Sequence, residues 1–146
     1  MELTTADIMP GQAAMRAEIG PLLRALRPDL TETAFMAFAE EAHRQGLVFT
    51  AAYDSDGRCV GVATHRTLAT SRGRLLFVDD LVTDSRVRSG GVGSLLMEEL
   101  ETRARRAGCT RIELDSGVAN HGAHRFYHAR RMVIAAHHFA RDISPD

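Results

Sequence analysis

A glycine-rich turn joins a predicted strand to a predicted helix beyond the middle of the chain. Gly90, Gly91 and Gly93 occupy three of four successive positions, which costs backbone entropy that an ordinary turn avoids. Such a turn exposes backbone N–H groups, and at a helix N-terminus these donors and the positive end of the helix dipole favour an anion. Arg86 and Arg88 add positive charge beside the turn. The segment therefore predicts a binding site for a diphosphate.

The glycines do not fit two common nucleotide-binding motifs. A dinucleotide fingerprint needs a further glycine three residues after Gly93, where Leu96 stands, and an acidic residue about 20 positions on that the sequence does not supply at a suitable strand end. A phosphate-binding loop needs Gly-Lys-Ser/Thr, but all 18 basic residues are arginine. The absence of lysine also excludes a Schiff base.

Composition limits the class of protein further. The 146 residues carry a formal net charge of −1 and a pI of about 6.7, which gives no support to nucleic-acid binding. No apolar run approaches the roughly 18 residues that span a membrane, and the first residues do not resemble a leader peptide. Cys59 and Cys109 are isolated and fit no metal or redox spacing. We expect one cytoplasmic domain over residues 1–146, without disulfides or membrane contact.

Hydrophobic periodicity predicts the elements that position the glycine turn. Thr31 or Thr33 is expected to cap the second helix and Gly46 to end it. In chain order the predicted elements are helices 10–28 and 31–44, strands 47–53, 59–67 and 74–83, helix 91–107, strand 111–115, helix 120–129 and an extended hairpin 132–141. Residues 2–8 show only a weak pattern. This order implies an α/β (α+β) fold with a mixed sheet and helices on its faces.

Two segments resemble the Gcn5-related N-acetyltransferase (GNAT) superfamily. Arg88-Ser89-Gly90-Gly91-Val92-Gly93 is similar to its Gln/Arg-x-x-Gly-x-Gly/Ala signature, and Asn120-His121-Gly122-Ala123-His124-Arg125-Phe126-Tyr127 to its second motif, Asn-x-x-Ala-x-x-Phe-Tyr. The resemblance implies the GNAT fold, with a mostly antiparallel central sheet flanked by helices, and acetyl-CoA as co-substrate. The pyrophosphate would then be bound by the backbone amides of Arg88, Ser89, Gly90, Gly91, Val92, Gly93 and Ser94.

Acetyl transfer from a thioester to an amine needs a proton acceptor for the ammonium, donors for the developing oxyanion and an acid for the departing thiolate. Tyr127 is the candidate acid, because a phenol with a pKa of about 10 keeps its proton at neutral pH and the resemblance places the acid of the superfamily here. The alternative is that Phe126 and Tyr127 form a core aromatic pair.

Asp79 and Asp80 follow an apolar strand segment, residues 75–78. Successive strand residues face opposite sides, so we expect only one of the two in a given cleft. A buried carboxylate there would have a raised pKa and could accept an amine proton directly or through water. Similarity to the acidic pair of polyamine-type acetyltransferases favours Asp79. The alternative is a solvated edge carboxylate and a structural ion pair.

The resemblance also implies contacts along the pantetheine arm of the co-substrate. The backbone of Leu81, Val82 and Thr83 is expected to hold the oxyanion and the pantetheine amide. Asn120 is expected either to reach the arm or to cap the helix that it opens. The residues after Tyr127 lack the turn glycine of many members, which puts the geometry of the following turn in doubt.

Histidines near the C-terminus do not predict a metal site. His124 and His128 have helical spacing that could ligate zinc, but no third acidic or thiol ligand is nearby in the sequence. We expect no metal.

The acceptor is expected to be a small primary amine. The first two helices and the last strands, which shape the substrate pocket in the superfamily, carry no readable motif. The sequence is most similar to small single-domain members, including aminoalkylphosphonate N-acetyltransferase. A polyamine or an aminoglycoside would need carboxylates in the pocket. A phosphonate would need arginines, for which the candidates are Arg24, Arg27, Arg66 and Arg72.

Two other functions stay open at this point. The chain could acetylate protein N-termini or lysines, or it could be a non-catalytic acyl-CoA-binding module. Pairing of exposed last strands predicts a homodimer.

Overall fold

The computed structural model describes residues 2–87 and 90–145. The chain forms two compact units, residues 1–113 and 114–146, and a single domain over residues 1–146 stays a prediction. The strands are Thr4–Ile8 (β1), Val48–Tyr53 (β2), Cys59–Thr70 (β3), Gly73–Thr83 (β4) and Arg111–Leu114 (β5). The helices are Gly20–Leu26 (α1), Glu32–Arg44 (α2), Val92–Arg106 (α3) and His121–Ala129 (α4). A π-helical turn, Met15–Ile19, precedes α1, and a 3₁₀ turn, Ser85–Val87, follows β4.

The five strands form one sheet in the order β1-β2-β3-β4-β5. The first four strands pair antiparallel with their neighbours, and β5 lies beside β4. The β2–β3 hairpin turns at Asp54, whose carboxylate accepts the N–H groups of Asp56 and Arg58, each at 2.9 Å. The mostly antiparallel sheet predicted from the sequence is confirmed.

Different helices cover the two faces of β3. Val62 belongs to the same buried cluster as Ile19 of the π-helical turn and Phe35 of α2. Gly61 lies on the opposite face by alternation, and α3 packs there so closely that a Cβ on Gly61 would stand 2.6 Å from Cγ1 of Val92. The sheet is therefore enclosed on both sides, as the predicted fold class requires.

Helix α2 begins where the sequence places it. The Thr31 hydroxyl accepts the N–H of Ala34 at 3.1 Å, which identifies Thr31 rather than Thr33 as the cap. The preceding helical region, predicted as one helix over residues 10–28, is instead a π-helical turn followed by α1.

Two further sequence predictions differ from the structure. The weakly patterned start contains β1, which pairs with β2 along its whole length. The final hairpin predicted over residues 132–141 is wrong, because the structure assigns no strand between residues 130 and 145. A strand needs a neighbouring strand for its backbone groups, and alternating apolar residues alone do not supply one.

Candidate active site

Helix α3 begins without a side-chain cap. Gly91 holds the N-cap position in the left-handed region, with φ +82°, and both Gly90 and Gly91 are exposed. The N-terminal residues of α2 and α4 differ, because Thr31 and Asn120 accept a first-turn N–H with their side chains. The first-turn N–H groups of α3 lack intrahelical acceptors and point out of the helix, so this terminus fits the predicted diphosphate.

One arginine near this helix terminus already forms an ion pair within the protein. Arg86 forms a two-pronged ion pair with Asp84, with Nη2 at 2.7 Å and Nε at 3.1 Å. Hydrogen bonds from Arg86 hold the pKa of Asp84 well below its ordinary value. Arg86 is therefore not the uncommitted positive charge that the sequence suggested. Arg88 and Ser89 lie outside the described residues.

Backbone donors lead from α3 back along β4. Asp84 donates its N–H to the carbonyl of Val60 on β3 at 2.8 Å. Consecutive N–H groups of a strand point to opposite edges, so those of Leu81 and Thr83 point away from β3, toward the β5 side. The carbonyl of Arg74 accepts the N–H that immediately precedes β5.

The length of β5 decides whether these donors are covered. At about 3.3 Å per residue, its four residues span about 13 Å, whereas Leu81 lies about 23 Å beyond Arg74 along β4. Within the described residues, β5 does not reach the N–H groups of Leu81 and Thr83, which fits the expected contacts to a pantetheine arm.

A cavity of about 490 Å³ adjoins the same end of β4. One wall is an apolar side of α1 that includes Pro21 and Leu22, and the opposite wall contains Val82 and Thr83. A volume of this size is typical of small-molecule sites. Two residues predicted to contact the co-substrate, Val82 and Thr83, thus line this cavity, together with charged residues that include Arg58 and Asp84.

Strand β4 contains a β-bulge at Asp79. Thr64 pairs with Asp80 and His65 with Val78, so Asp79 is the extra residue without a partner on β3. A bulge re-aims the side chains that follow it. Asp80 consequently shares the face of Thr64 instead of the face of Val78.

Both carboxylates contact the same face of β3. Asp79 binds Nη2 of Arg66 at 2.6 Å, and Asp80 binds Nη2 of Arg27 at 3.1 Å and accepts a longer bond, at 3.4 Å, from the Thr64 hydroxyl. The expectation that only one carboxylate could face a given cleft is wrong, because simple alternation does not survive the bulge. We call Arg27, Thr64, Arg66, Asp79 and Asp80 the bulge cluster.

The two carboxylates differ in their surroundings. Burial raises the pKa of Asp80, an effect that Arg27 opposes and the neighbouring charge of Asp79 reinforces. The carboxylate of Asp79 is bound directly by Arg66, and each of these two side chains is about one quarter exposed. A raised pKa suits a group that accepts a proton near neutral pH.

A second polar cluster lies on the opposite face of β3. The Thr50 hydroxyl donates to Asp7 at 2.9 Å and accepts from Nε2 of the buried His65 at 2.9 Å. Asp7 also binds both terminal nitrogens of Arg103, at 2.9 and 2.6 Å, and Arg103 binds Glu99 at 3.0 Å. Burial, with Arg103, lowers the pKa of His65 to about 4. We call these five residues the α3-side network.

Tyr127 and Asn120 belong to the unit formed by residues 114–146. Tyr127 is half-buried, and burial raises its pKa, so the phenol carries its proton at neutral pH. Its ring meets Phe126 edge to face at 5.4 Å. Asn120 caps α4 by accepting the N–H of Ala123 at 3.3 Å, as one of the two expectations had it.

The turn after α4 forms without glycine. Arg131 takes the left-handed conformation, with φ +67°, at the position where glycine is usual. The N–H of Met132 bonds to the carbonyl of Tyr127, and the N–H of Arg131 to that of His128, each at 3.0 Å. This is a Schellman ending of the helix, so arginine supports the turn whose geometry the sequence left in doubt.

Two of the C-terminal histidines lie within hydrogen-bond distance of protein groups. Nε2 of His124 lies 2.8 Å from the carbonyl of Gly117, and Nδ1 of His138 lies 3.0 Å from Asp115. Among the residues that the structure describes, no group of three or more potential ligands is placed to hold a metal ion. In that same part of the chain, no helix combines the length and apolarity needed to cross a membrane.

Comparison with known proteins identifies the class to which this fold and site belong. Residues 13–131 match the model of the Acetyltransferase (GNAT) family. The uncharacterized N-acetyltransferase YhdJ of Bacillus subtilis is 30% identical over 76% of this chain and 79% of its own length. Glucosamine 6-phosphate N-acetyltransferase 1 of Oryza sativa subsp. japonica is 32% identical over 75% of this chain and 67% of its own length.

Solved structures show the same fold. AAC(6')-Iy in complex with a bisubstrate analogue superposes with a TM-score of 0.82 at 16% identity, covering 99% of this chain and 100% of that one. Glucosamine-6-phosphate N-acetyltransferase from Arabidopsis thaliana gives 0.77 at 20% identity, with the same coverage. The chain belongs to the GNAT family, and it is an acetyltransferase that uses acetyl-CoA.

Proposed function

We propose that the protein transfers the acetyl group of acetyl-CoA to a primary amine of a small molecule by direct attack. One observation carries the proposal: three features follow one another along the chain from β4 to the start of α3. The acidic bulge comes first, then the outward N–H groups of Leu81 and Thr83, and then the glycine-capped start of α3. This order matches what an acetyl group, an amide-containing arm and a diphosphate need in turn.

The diphosphate would be bound by the backbone from Arg88 to Ser94. Support comes from the exposed Gly90 and Gly91 and from the first turn of α3, which has no side-chain cap. The arm would lie along Leu81, Val82 and Thr83, with the adjoining cavity receiving its apolar parts. Acetyl-CoA bound in this way supplies an activated acyl group.

The bulge would act on the attacking amine. We favour Asp80 as the group that accepts the ammonium proton, directly or through water, because burial raises its pKa. Asp79 is the second candidate, and Arg66 already holds its carboxylate in an ion pair at 2.6 Å. The N–H of Leu81 is the candidate donor for the negative charge that develops on the thioester oxygen.

Tyr127 would protonate the departing sulfur. This role rests on the Asn-x-x-Ala-x-x-Phe-Tyr motif and on the neutral, half-buried phenol. Replacing Tyr127 by Phe should reduce kcat on the order of 10²–10⁴-fold and leave acetyl-CoA affinity unchanged, because the ring is kept. An unchanged kcat in the free-thiol release assay would exclude Tyr127 as the acid.

Co-substrate binding can be tested at the two ends of α3. Gly91 and Gly108 flank this helix, both have positive φ, and a Cβ on either would meet no described atom within 4 Å. Gly91→Val and Gly108→Val therefore strain the backbone similarly, but only the first crowds the proposed diphosphate. Hydrogen bonds to a charged group contribute about 1.5–3 kcal/mol, so Gly91→Val should weaken acetyl-CoA binding about 10- to 100-fold.

Isothermal titration calorimetry measures both variants against the wild-type protein. Gly108→Val should bind acetyl-CoA as the wild type does. The proposal fails if the wild-type protein shows no saturable heat with acetyl-CoA, or if the two variants lose affinity equally.

The acceptor class is proposed by analogy and by site chemistry. Two similar proteins are named for glucosamine 6-phosphate and aminoglycoside acetylation, and both compounds are small amines. We also propose that the protein is similar to aminoalkylphosphonate N-acetyltransferase. We further propose that it forms a homodimer and that it is located in the cytoplasm. A panel of small amines, set against peptides with free N-termini or lysines, separates this function from protein acetylation.

A further inference from the structure

Two guanidinium groups flank the carboxylates of the β4 bulge. Arg66 binds Asp79 and Arg27 binds Asp80. Arg66 and Thr64 stand two residues apart on one face of β3, a separation of about 7 Å, and Thr64 contacts Asp80. The two ion pairs therefore lie side by side, and the cluster as a whole carries no net charge.

Arg66 has a donor that the described protein does not use. Its Nε is buried and has no hydrogen-bond acceptor among the described residues. Leaving such a donor without an acceptor costs about 1–3 kcal/mol. About one quarter of the Arg66 side chain is exposed, and a bound molecule can contact that part. The fork of a guanidinium matches two oxygens of a carboxylate or phosphate.

Arg27 can contribute to the same ligand from α1. It follows the last residue of that helix, and its side chain is 63% exposed. Its bond to Asp80 uses one nitrogen, Nη2. A guanidinium carries five N–H donors, so Arg27 can keep this bond and still bind an incoming anion.

The other candidate arginines are committed elsewhere. Nε of Arg24 donates to the carbonyl of Leu30 at 3.0 Å. Arg72, in the turn between β3 and β4, binds Glu113 at 3.1 Å. Of the four arginines that the sequence offered for an anion, only Arg27 and Arg66 contact the carboxylates of the bulge.

We propose that the acceptor amine carries an acidic group, a phosphate, phosphonate or carboxylate, and that Arg66 and Arg27 bind that group beside the carboxylates that receive the ammonium. This inference rests on the proposed function and specifies its substrate class. A site with two carboxylates and two guanidiniums complements both ends of a zwitterion. A polyamine has no anionic end and would place its second ammonium against the arginines.

Matched pairs of amines test the inference. The pairs are 2-aminoethyl phosphate with ethanolamine, 2-aminoethylphosphonate with propylamine, and β-alanine with propylamine, and spermidine represents the polyamines. Free-thiol release from acetyl-CoA gives kcat and KM for each amine. The acidic member of at least one pair should have a kcat/KM about 10- to 100-fold higher, as expected for charge-assisted hydrogen bonds, and the preferred pair identifies the kind of acidic group.

Arginine variants assign the preference to residues. Arg66→Gln and Arg27→Gln should raise KM for the acidic amine and bring the acidic-to-neutral ratio of kcat/KM toward one. Arg66→Lys keeps the charge but loses the fork, so it should retain part of the ratio. Arg72→Gln removes an arginine from another Arg–carboxylate pair and should leave the ratio unchanged. Because the ratio compares two amines on one enzyme, a general loss of activity does not alter it.

The outcomes separate this inference from the proposed function. Turnover of neutral amines or spermidine at least as efficient as that of the acidic amines would overturn the inference alone. So would equal ratios for Arg66→Gln and Arg72→Gln, with folding of both variants verified by thermal unfolding. Absence of turnover with every amine would overturn the proposed function, and the inference with it.

Discussion

The bulge cluster and the α3-side network lie on opposite faces of the same strand, β3, and use its polar residues differently. In the α3-side network each contact leads to another side chain, from His65 through Thr50 and Asp7 to Arg103. The bulge cluster instead keeps a buried donor of Arg66 that has no acceptor in the described part of the chain. It also contains a carboxylate, Asp80, whose pKa is raised by burial.

This difference distinguishes polar side chains that support the fold from polar side chains that we propose to act on a ligand. Buried polar groups that satisfy one another fix how strands and helices pack, whereas incompletely satisfied groups cost stability and suit a ligand. Thr64 and His65 are adjacent in sequence and belong to different clusters, so position along the chain does not distinguish the two roles.

Replacing one aspartate by asparagine in each cluster should have opposite effects on kcat and on stability. Asp80→Asn removes the proposed proton acceptor and should lower kcat on the order of 10²–10⁴-fold, with little loss of stability. Asp7→Asn weakens the bonds to Arg103 and should lower the free energy of unfolding by about 1–2 kcal/mol, since Asp7 is partly exposed, without a change in kcat. These two effects are checked by measuring amine acetylation and urea unfolding for both variants. Similar kcat values for the two variants would remove the functional distinction between the faces.

The α3-side network should lose stability in mild acid. His65 has a pKa of about 4 in the folded protein against an ordinary value of 6.5, so the unfolded chain binds the proton first as the pH falls. Its contribution is complete above pH 6.5 and declines toward pH 4, by up to about 3 kcal/mol. Urea unfolding at pH 7.5 and 4.5 measures this decline. His65→Gln keeps an N–H for Thr50 but does not titrate, so an equally steep decline in that variant would disprove the assignment.

The close packing of α3 on β3 predicts a smaller effect. Gly61→Ala places a methyl group 2.6 Å from Cγ1 of Val92, the first residue of α3, and overpacking of this kind costs about 1–3 kcal/mol. Because the start of α3 must shift, acetyl-CoA binding should also weaken. Thermal unfolding and calorimetry measure the two effects. Gly11→Ala is the control, since a Cβ there meets none of the described residues within 4 Å. Equal stability of the two variants would contradict the close approach.

Local signals in the sequence predict the elements with strong patterns. Thr31 caps α2, Gly91 begins α3 and Asn120 caps α4 as expected, because caps depend on one residue and its immediate neighbours. The class of fold follows from the order of these elements. β1 was missed, since only Ile8 of its five residues is buried and its existence depends on the pairing with β2.

The arrangement of the site is less accessible from the sequence. A bulge is a mismatch between two strands, so residues 78–80 carry no sign of it until their pairing with Thr64 and His65 is known. The role proposed for Arg66 rests on the same pairing. Adjacent acids at the end of an apolar strand were the available signal, and the simple alternation expected for them differs from the bulged geometry.

The extra residue in β4 also makes the site sensitive to the length of the chain. If the same residues formed a regular strand without the bulge, every side chain after Asp79 would lie on the other face of the sheet. Deleting Asp79 itself would keep Val78 opposite His65 and Asp80 opposite Thr64. The loss of one residue beyond the bulge, between Leu81 and Thr83, would instead exchange the faces of the residues that follow, so the proposed site could lose its geometry while both candidate carboxylates remain.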